Sequence, residues 1–149
     1  MTMRHVHIGW LDDGGDLKRQ LVRAGVSVSQ DITVNPGADG LAIAFGSAGS
    51  NPEAALDIAN EFLAQGAGLA VVTRGALGSL ASDGTSIFET GVLPVDVSDT
   101  TGAGDTFIAG FIAKRLQGGD VEACLQAGRD AAAVTCTYFG GFRQTPFAL

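Results

Sequence analysis

The sequence predicts a layered α/β fold, and three observations carry that prediction. Short apolar runs, Leu41–Phe45 (LAIAF) and Leu69–Thr73 (LAVVT), have the composition of strands buried on both faces. Segments with helical spacing alternate with them. Glycine makes up 22 of the 149 residues, well above the usual share of about 7%. The glycines form no low-complexity tract, so they read as turns and close approaches rather than disorder. A chain of 149 residues, 46% hydrophobic, is one domain (1–149) with enough apolar material for a core.

The elements follow in order. Val6–Trp10 and Val26–Val34 are rich in β-branched residues and read as strands, with Trp10 expected in the core or an interface. Between them Leu17, Leu21 and Val22 give Asp16–Ala24 a helical stripe, and Gly25 supplies the stop. After the strand Leu41–Phe45, Asn51-Pro52 opens a helix, with Asn as cap and Pro at the first position. Its stripe is Ala55, Leu56, Ala59, Phe62 and Leu63, and it stops at Gly66 and Gly68. Leu69–Thr73 is the next strand. Ser79–Ser82 and Thr85–Glu89 flank Asp83-Gly84 as a hairpin, and Val92–Val97 reads as one more strand. Two helices close the chain, Thr106–Leu116 and Val121–Tyr138, the second capped by Asp120.

Composition excludes several functions. Nine Lys and Arg against sixteen Asp and Glu give a formal charge of −7, which offers no electrostatic footprint for DNA or RNA or for an anionic membrane. A phosphorylated ligand must then be held by backbone N–H groups, a metal or a few chosen side chains. Cys124 and Cys136 form no CxxC pair and lie along one helical stretch, which argues against zinc or a disulfide and for a reducing cytoplasm. No segment has the length of a signal peptide's apolar core or a membrane span.

The strongest local feature is Asp99-Thr100-Thr101-Gly102-Ala103-Gly104-Asp105-Thr106-Phe107. A strand, a glycine-rich turn and the start of a helix succeed one another here. The first N–H groups of a helix lack intrahelical partners and lie at the positive end of its dipole. Gly102 and Gly104 let an anion approach them, which makes a phosphate cradle. Asp105, at the helix start, is placed to accept a proton from a hydroxyl attacking that anion. The spacing alone leaves the plainer alternative open, in which Asp99 and Asp105 only cap and the glycines only turn. Neither GxxxxGK[ST] nor a full GxGxxG is present.

The run DTTGAGDTFIAGF closely resembles the C-terminal signature of the PfkB/ribokinase family of carbohydrate kinases. Thr73-Arg74-Gly75-Ala76-Leu77-Gly78-Ser79 resembles that family's nucleotide loop, and Ala131–Cys136 through Phe139-Gly140-Gly141 its adenine-side helix and loop. Val6–Trp10, Ala24-Gly25 and Asp31 fit the family's middle portion, and the compact segments are similar to the fructoselysine 6-kinase-like branch. The resemblance implies a Rossmann-like (ribokinase-like) layered sheet with helices on both faces, truncated at the N-terminus. It implies transfer of the ATP γ-phosphoryl, with Mg²⁺, to a sugar hydroxyl. Asp105 would be the base and the amides of Gly102, Ala103 and Gly104 the anion hole. Thr73, Gly75 and Gly78 would line the triphosphate, with Ala132 and Gly140 beside the adenine. Family members often hold a monovalent cation such as K⁺ by the signature loop, and Asp99 and the Thr101 carbonyl match that position.

This chain also departs from the family pattern. It aligns only with the C-terminal half, without the Gly-Gly substrate motif, the sugar-contacting carboxylate or the lid, so no residue is assigned to sugar recognition. The family's Asn-x-x-Glu is replaced by a stretch ending in Glu53, which reads as a plain first-turn acid. His5 and His7 read as ordinary strand histidines, the cysteines as apolar packing, and Arg74 as a solvated loop arginine. Competing readings are a truncated, non-catalytic nucleotide-binding remnant and an anion-binding interaction module. An exposed sheet edge adds homo-oligomerisation to the expectations.

Overall fold

The structure, a computed structural model, describes residues 4–143. The chain adopts the predicted layered α/β fold around one six-stranded sheet in the order β1 (His5–Ile8), β2 (Ser27–Asp31), β3 (Ile43–Ser47), β4 (Ala70–Thr73), β5 (Ser79–Ser82), β6 (Ile87–Thr90). The first four strands pair in parallel and β5 runs antiparallel to β4. Even-numbered strand residues, Ile8, Val28, Ala44, Ala70, Val72 and Leu80, form one core cluster. Ala55, Ala59 and Phe62 join it from α2 (Ala55–Gln65). Odd-numbered Ile43, Phe45, Val71 and Ala81 are also buried, as the wholly apolar runs require. Gly46 admits the Phe62 ring onto β3, where a Cβ would lie 2.8 Å from it.

Helix α1 (Asp16–Arg23) ends at Gly25, whose φ of 73° lets Val26 N–H return to the Leu21 carbonyl at 3.0 Å. The connection from β2 to β3 contains no helix. It is fastened instead by Lys18, whose buried ammonium donates to Asp39 Oδ1 at 2.5 Å and to the Gly37 carbonyl at 3.0 Å. Gln65 Oε1 accepts from Ala38 N–H at 2.9 Å.

The chain divides into two compact units, with the boundary between Glu89 and Thr90. The second holds α3 (Ala103–Leu116) and α4 (Val121–Thr135). They pack with little between their backbones: a Cβ on Gly110 would lie 2.7 Å from the Ala127 carbonyl oxygen, and one on Gly128 would lie 2.9 Å from the Phe107 ring. Asp120 caps α4 as expected, accepting from Ala123 N–H at 2.8 Å.

Several expectations need correction. Val92–Val97 is not a strand but an irregular, largely exposed segment. Pro94 removes a ladder donor there, and no neighbouring strand pairs with it among the described residues. Trp10 lies beyond β1 and is 76% exposed rather than core. Asn51 makes no capping bond; Pro52–Ala54 forms a 3₁₀ turn that leads into α2. The strand expected over Val26–Val34 stops at Asp31, whose carboxylate accepts from Thr33 N–H at 2.8 Å and turns the chain. Helix α4 ends at Thr135, short of Tyr138.

Candidate functional site

The residues singled out in the sequence fall into two groups, one in each compact unit. Thr73, Gly75 and Gly78 lie in the first; Asp99, Thr101, Gly102, Ala103, Gly104, Asp105, Ala132 and Gly140 lie in the second.

In the first unit, β4 ends at Thr73 and a single 3₁₀ turn, Gly75–Leu77, leads into β5. Arg74 N–H donates to the Gly78 carbonyl at 2.7 Å, and Gly78 N–H to the Gly75 carbonyl at 3.1 Å. Gly75 and Gly78 have φ of 56° and 87°, so both glycines are demanded by the backbone. A Cβ on Gly75 would meet no atom within 4 Å, which leaves space beside the loop. Sequence reading missed a further feature. Ser47, Thr73 and Ser79 are register partners across β3, β4 and β5, so three hydroxyl residues share one row at the C-terminal end of the parallel strands. Open α/β sheets bind ligands at that end. Only the strand pairing reveals the row, because the three residues are far apart in the chain. Arg74 also differs from expectation. Its side chain is 19% exposed and bonded to Glu89, not solvated.

In the second unit, Gly102 sits at φ 76° and turns the chain into α3, which begins at Ala103. Ala103 N–H donates to the Thr100 carbonyl at 3.1 Å, and Thr106 N–H makes the bond to Gly102 at 3.0 Å. The amides of Gly104 and Asp105 lie between these two, in the first turn, where a helix has donors to spare. Gly104 is exposed and a Cβ there would touch nothing within 4 Å, so the predicted cradle has room for a ligand. Asp105 stands exposed on the same turn.

Asp99 organises the loop. Its Oδ1 accepts from Thr101 N–H at 2.9 Å and Thr101 Oγ1 at 2.8 Å, while Oδ2 accepts from Gly140 N–H at 2.9 Å. The Gly140 amide, then the Thr101 amide and hydroxyl, hold this carboxyl below its usual range. Both oxygens are engaged, and a carboxylate's remaining lone-pair capacity is what a cation would use. Ser98 N–H donates to the Cys136 carbonyl at 2.8 Å, so the segment before the signature is tied to the end of α4. Ala132, in the last turn of that helix, accepts from Cys136 N–H at 3.0 Å.

Among the described residues no group of three or more His, Cys, Asp or Glu is placed to hold a metal ion. Glu53 is an exposed residue of the turn before α2. His5 bonds Ser27 and Ser29 through its two ring nitrogens, each at 2.8 Å, and His7 bonds Ser29 at 2.9 Å, as befits strand histidines. Cys124 is buried and its thiol is pushed up by desolvation, the behaviour of a packing residue. No helix is long and apolar enough to cross a membrane among the described residues.

The sequence profile of the pfkB family carbohydrate kinase matches residues 12–147. A fructoselysine 6-kinase of Shigella flexneri is 39% identical over 102 residues, which is 68% of this chain and 39% of that protein. Among solved structures, the microbiome-derived acarbose kinase Mak1 superposes with a TM-score of 0.81 at 26% identity, covering 95% of this chain and 52% of that one. An E. coli protein assigned as ribokinase II, solved with ATP and Mg²⁺, gives a TM-score of 0.73 at 23% identity over 93% of this chain and 54% of that one. The chain thus spans about two fifths of the curated relative and half of the solved kinases. Its sheet and helices are those of the ribokinase-like fold, and the chain belongs to the pfkB family of carbohydrate kinases.

Proposed function

We propose that this chain is the nucleotide-binding and catalytic half of a carbohydrate kinase that transfers the ATP γ-phosphoryl to a hydroxyl of a sugar or sugar derivative. A fructosamine-type sugar is the substrate class that the fructoselysine 6-kinase relative suggests. The observation that carries the reading is Asp105 on the first turn of α3, beside amides that precede the helix's own hydrogen bonds. In the reaction the sugar oxygen bonds to the γ-phosphorus, the bond to the β-phosphate oxygen breaks and ADP leaves. Asp105 takes the hydroxyl proton as attack proceeds. The Gly102 and Gly104 amides face the charge that builds on the transferring group, where fixed donors act most strongly. The Ala103 N–H, expected among them, is instead bonded to the Thr100 carbonyl at 3.1 Å. Thr73, Gly75 and Gly78 hold the triphosphate, and Ala132 and Gly140 leave room for the adenine.

Mg²⁺, when bound, neutralises phosphate charge, and it takes few protein ligands in such sites. A K⁺ ion by Asp99 and the Thr101 carbonyl is part of the same reading. So is a cytoplasmic setting, which suits two free cysteines. The test is Asp105→Asn in a chimaera that joins this chain to the N-terminal half of a fructoselysine 6-kinase. Asn preserves the shape but cannot take a proton, so ATP affinity stays and kcat falls by about 10²–10⁴-fold. A variant that keeps most of the parent kcat removes Asp105 as base.

A further inference from the structure

Arg74 lies between two residues of the proposed nucleotide loop, and its side chain is committed within the first unit. One guanidinium nitrogen, Nη1, pairs with Glu89 Oε1 of β6 at 2.7 Å. The other, Nη2, reaches the Ser79 carbonyl of β5 at 3.4 Å. Nε is buried with no hydrogen-bond partner among the described residues, so the group is partly stripped of water. At its backbone, Arg74 also opens and closes the turn. Its N–H donates to the Gly78 carbonyl at 2.7 Å, and its carbonyl accepts from Leu77 N–H at 3.1 Å. One residue therefore joins the end of β4, the start of β5 and β6, and the 3₁₀ turn between Gly75 and Leu77 is suspended from it.

We propose that Arg74 is a positioning residue: with Glu89 as its anchor, it holds the Thr73–Gly78 backbone in the geometry that binds the triphosphate. This rests on the reading of that loop as a nucleotide site. Gly75 and Gly78 have the freedom to adopt many other conformations, so the loop's own residues do not fix it. A planar fork that pairs a carboxylate on one side and a carbonyl on the other supplies the fixed reference, and a lysine would offer only a point charge. The geometry also decides against a direct role. An Arg74 head group held by Glu89 and Ser79 is engaged before any ligand arrives.

Two readouts on the 149-residue chain test the proposal: ATP·Mg²⁺ titration by calorimetry, and amide hydrogen exchange of residues 75–78 without nucleotide. Arg74→Gln should speed exchange of the Leu77 and Gly78 amides and weaken ATP binding about tenfold. Arg74→Lys should recover part of both. Glu89→Gln, a milder change at an exposed partner, should show the same pair of effects at about threefold, and it keeps the test alive should Arg74→Gln misfold. A folded Arg74→Gln or Glu89→Gln chain with parental loop exchange and parental affinity overturns the positioning role alone. A parent chain that binds no ATP overturns the nucleotide reading of the loop, and the role of Arg74 with it.

Discussion

Gly102 and Gly141 meet backbone to backbone: a Cβ placed on Gly102 would lie 2.8 Å from the Gly141 Cα. The signature turn and the loop after α4 are thus pressed together at a point where neither carries a side chain. Gly102 is also held at φ 76°. Gly102→Ala should therefore destabilise the chain by about 1–2 kcal/mol from the left-handed backbone alone, with repacking around Gly141 adding to that. Urea midpoints of parent and variant measure the loss, and an unchanged midpoint would contradict the close approach.

Gly104 makes the opposite case. It is helical, and a Cβ there meets nothing within 4 Å. Gly104→Ala should leave the fold intact and raise its stability, by up to about 1 kcal/mol from helix propensity. Its ATP affinity should nevertheless fall, because the new methyl group crowds the amides of the cradle. A thermal melt and a calorimetric titration on one sample separate the two. A stabilised chain with undiminished affinity would show that phosphate does not approach this turn.

Asp99 predicts a pH dependence. Its carboxyl is held below the ordinary value of 3.8, foremost by the Gly140 amide and then by Thr101. A carboxylate held ionised in the folded state stabilises it above the unfolded pKa, and that contribution is lost as pH falls through the lower folded value. Asp99→Asn should therefore melt below the parent at pH 6, and the gap should narrow as pH drops from about 4 toward the lowered folded value. Melting curves from pH 6 downward check this. A gap that stays constant would assign the variant's loss to something other than ionisation.

Residues 1–149 alone should bind ATP·Mg²⁺ weakly and phosphorylate sugars poorly. No residue here is assigned to hold the acceptor, and positioning can contribute about 7–11 kcal/mol to lowering a barrier. A coupled assay with fructoselysine, fructose and ribose tests it. Turnover above about 1 s⁻¹, an ordinary enzyme rate, by the homogeneous chain would refute it.

The strands Ile43–Ser47 and Ala70–Thr73 were legible, the first lying two residues later than the expected Leu41–Phe45, because burial on both faces leaves a continuous apolar run. The Asp120 cap and the Gly25 stop were legible because each follows from local chemistry. Val92–Val97 misled for the converse reason: β-branched composition names a strand only when a neighbour pairs with it. Of the site, the Gly102 turn and the existence of the following helix were readable from DTTGAGD, although α3 begins at Ala103, earlier than the expected Thr106. The bonds from Asp99 to Gly140, the hydroxyl row of Ser47, Thr73 and Ser79, and the Arg74–Glu89 pair were not. Each joins residues whose proximity is decided by topology rather than by sequence spacing.

The packing of α3 on α4 has a bearing on motion. Gly110 faces the Ala127 carbonyl and Gly128 faces Phe107, each with no room for a single carbon more. A helix that slid by one turn, about 5.4 Å, would carry Thr106 or Lys114 into the slot that Gly110 fills. The close approach at both glycines opposes such a slide. A rearrangement that keeps this packing would fall on the segments that flank the helix pair, 98–102 and 136–141. Those same segments carry the Asp99 bonds, so the carboxylate that latches the loop is also the contact that such a hinge would have to open.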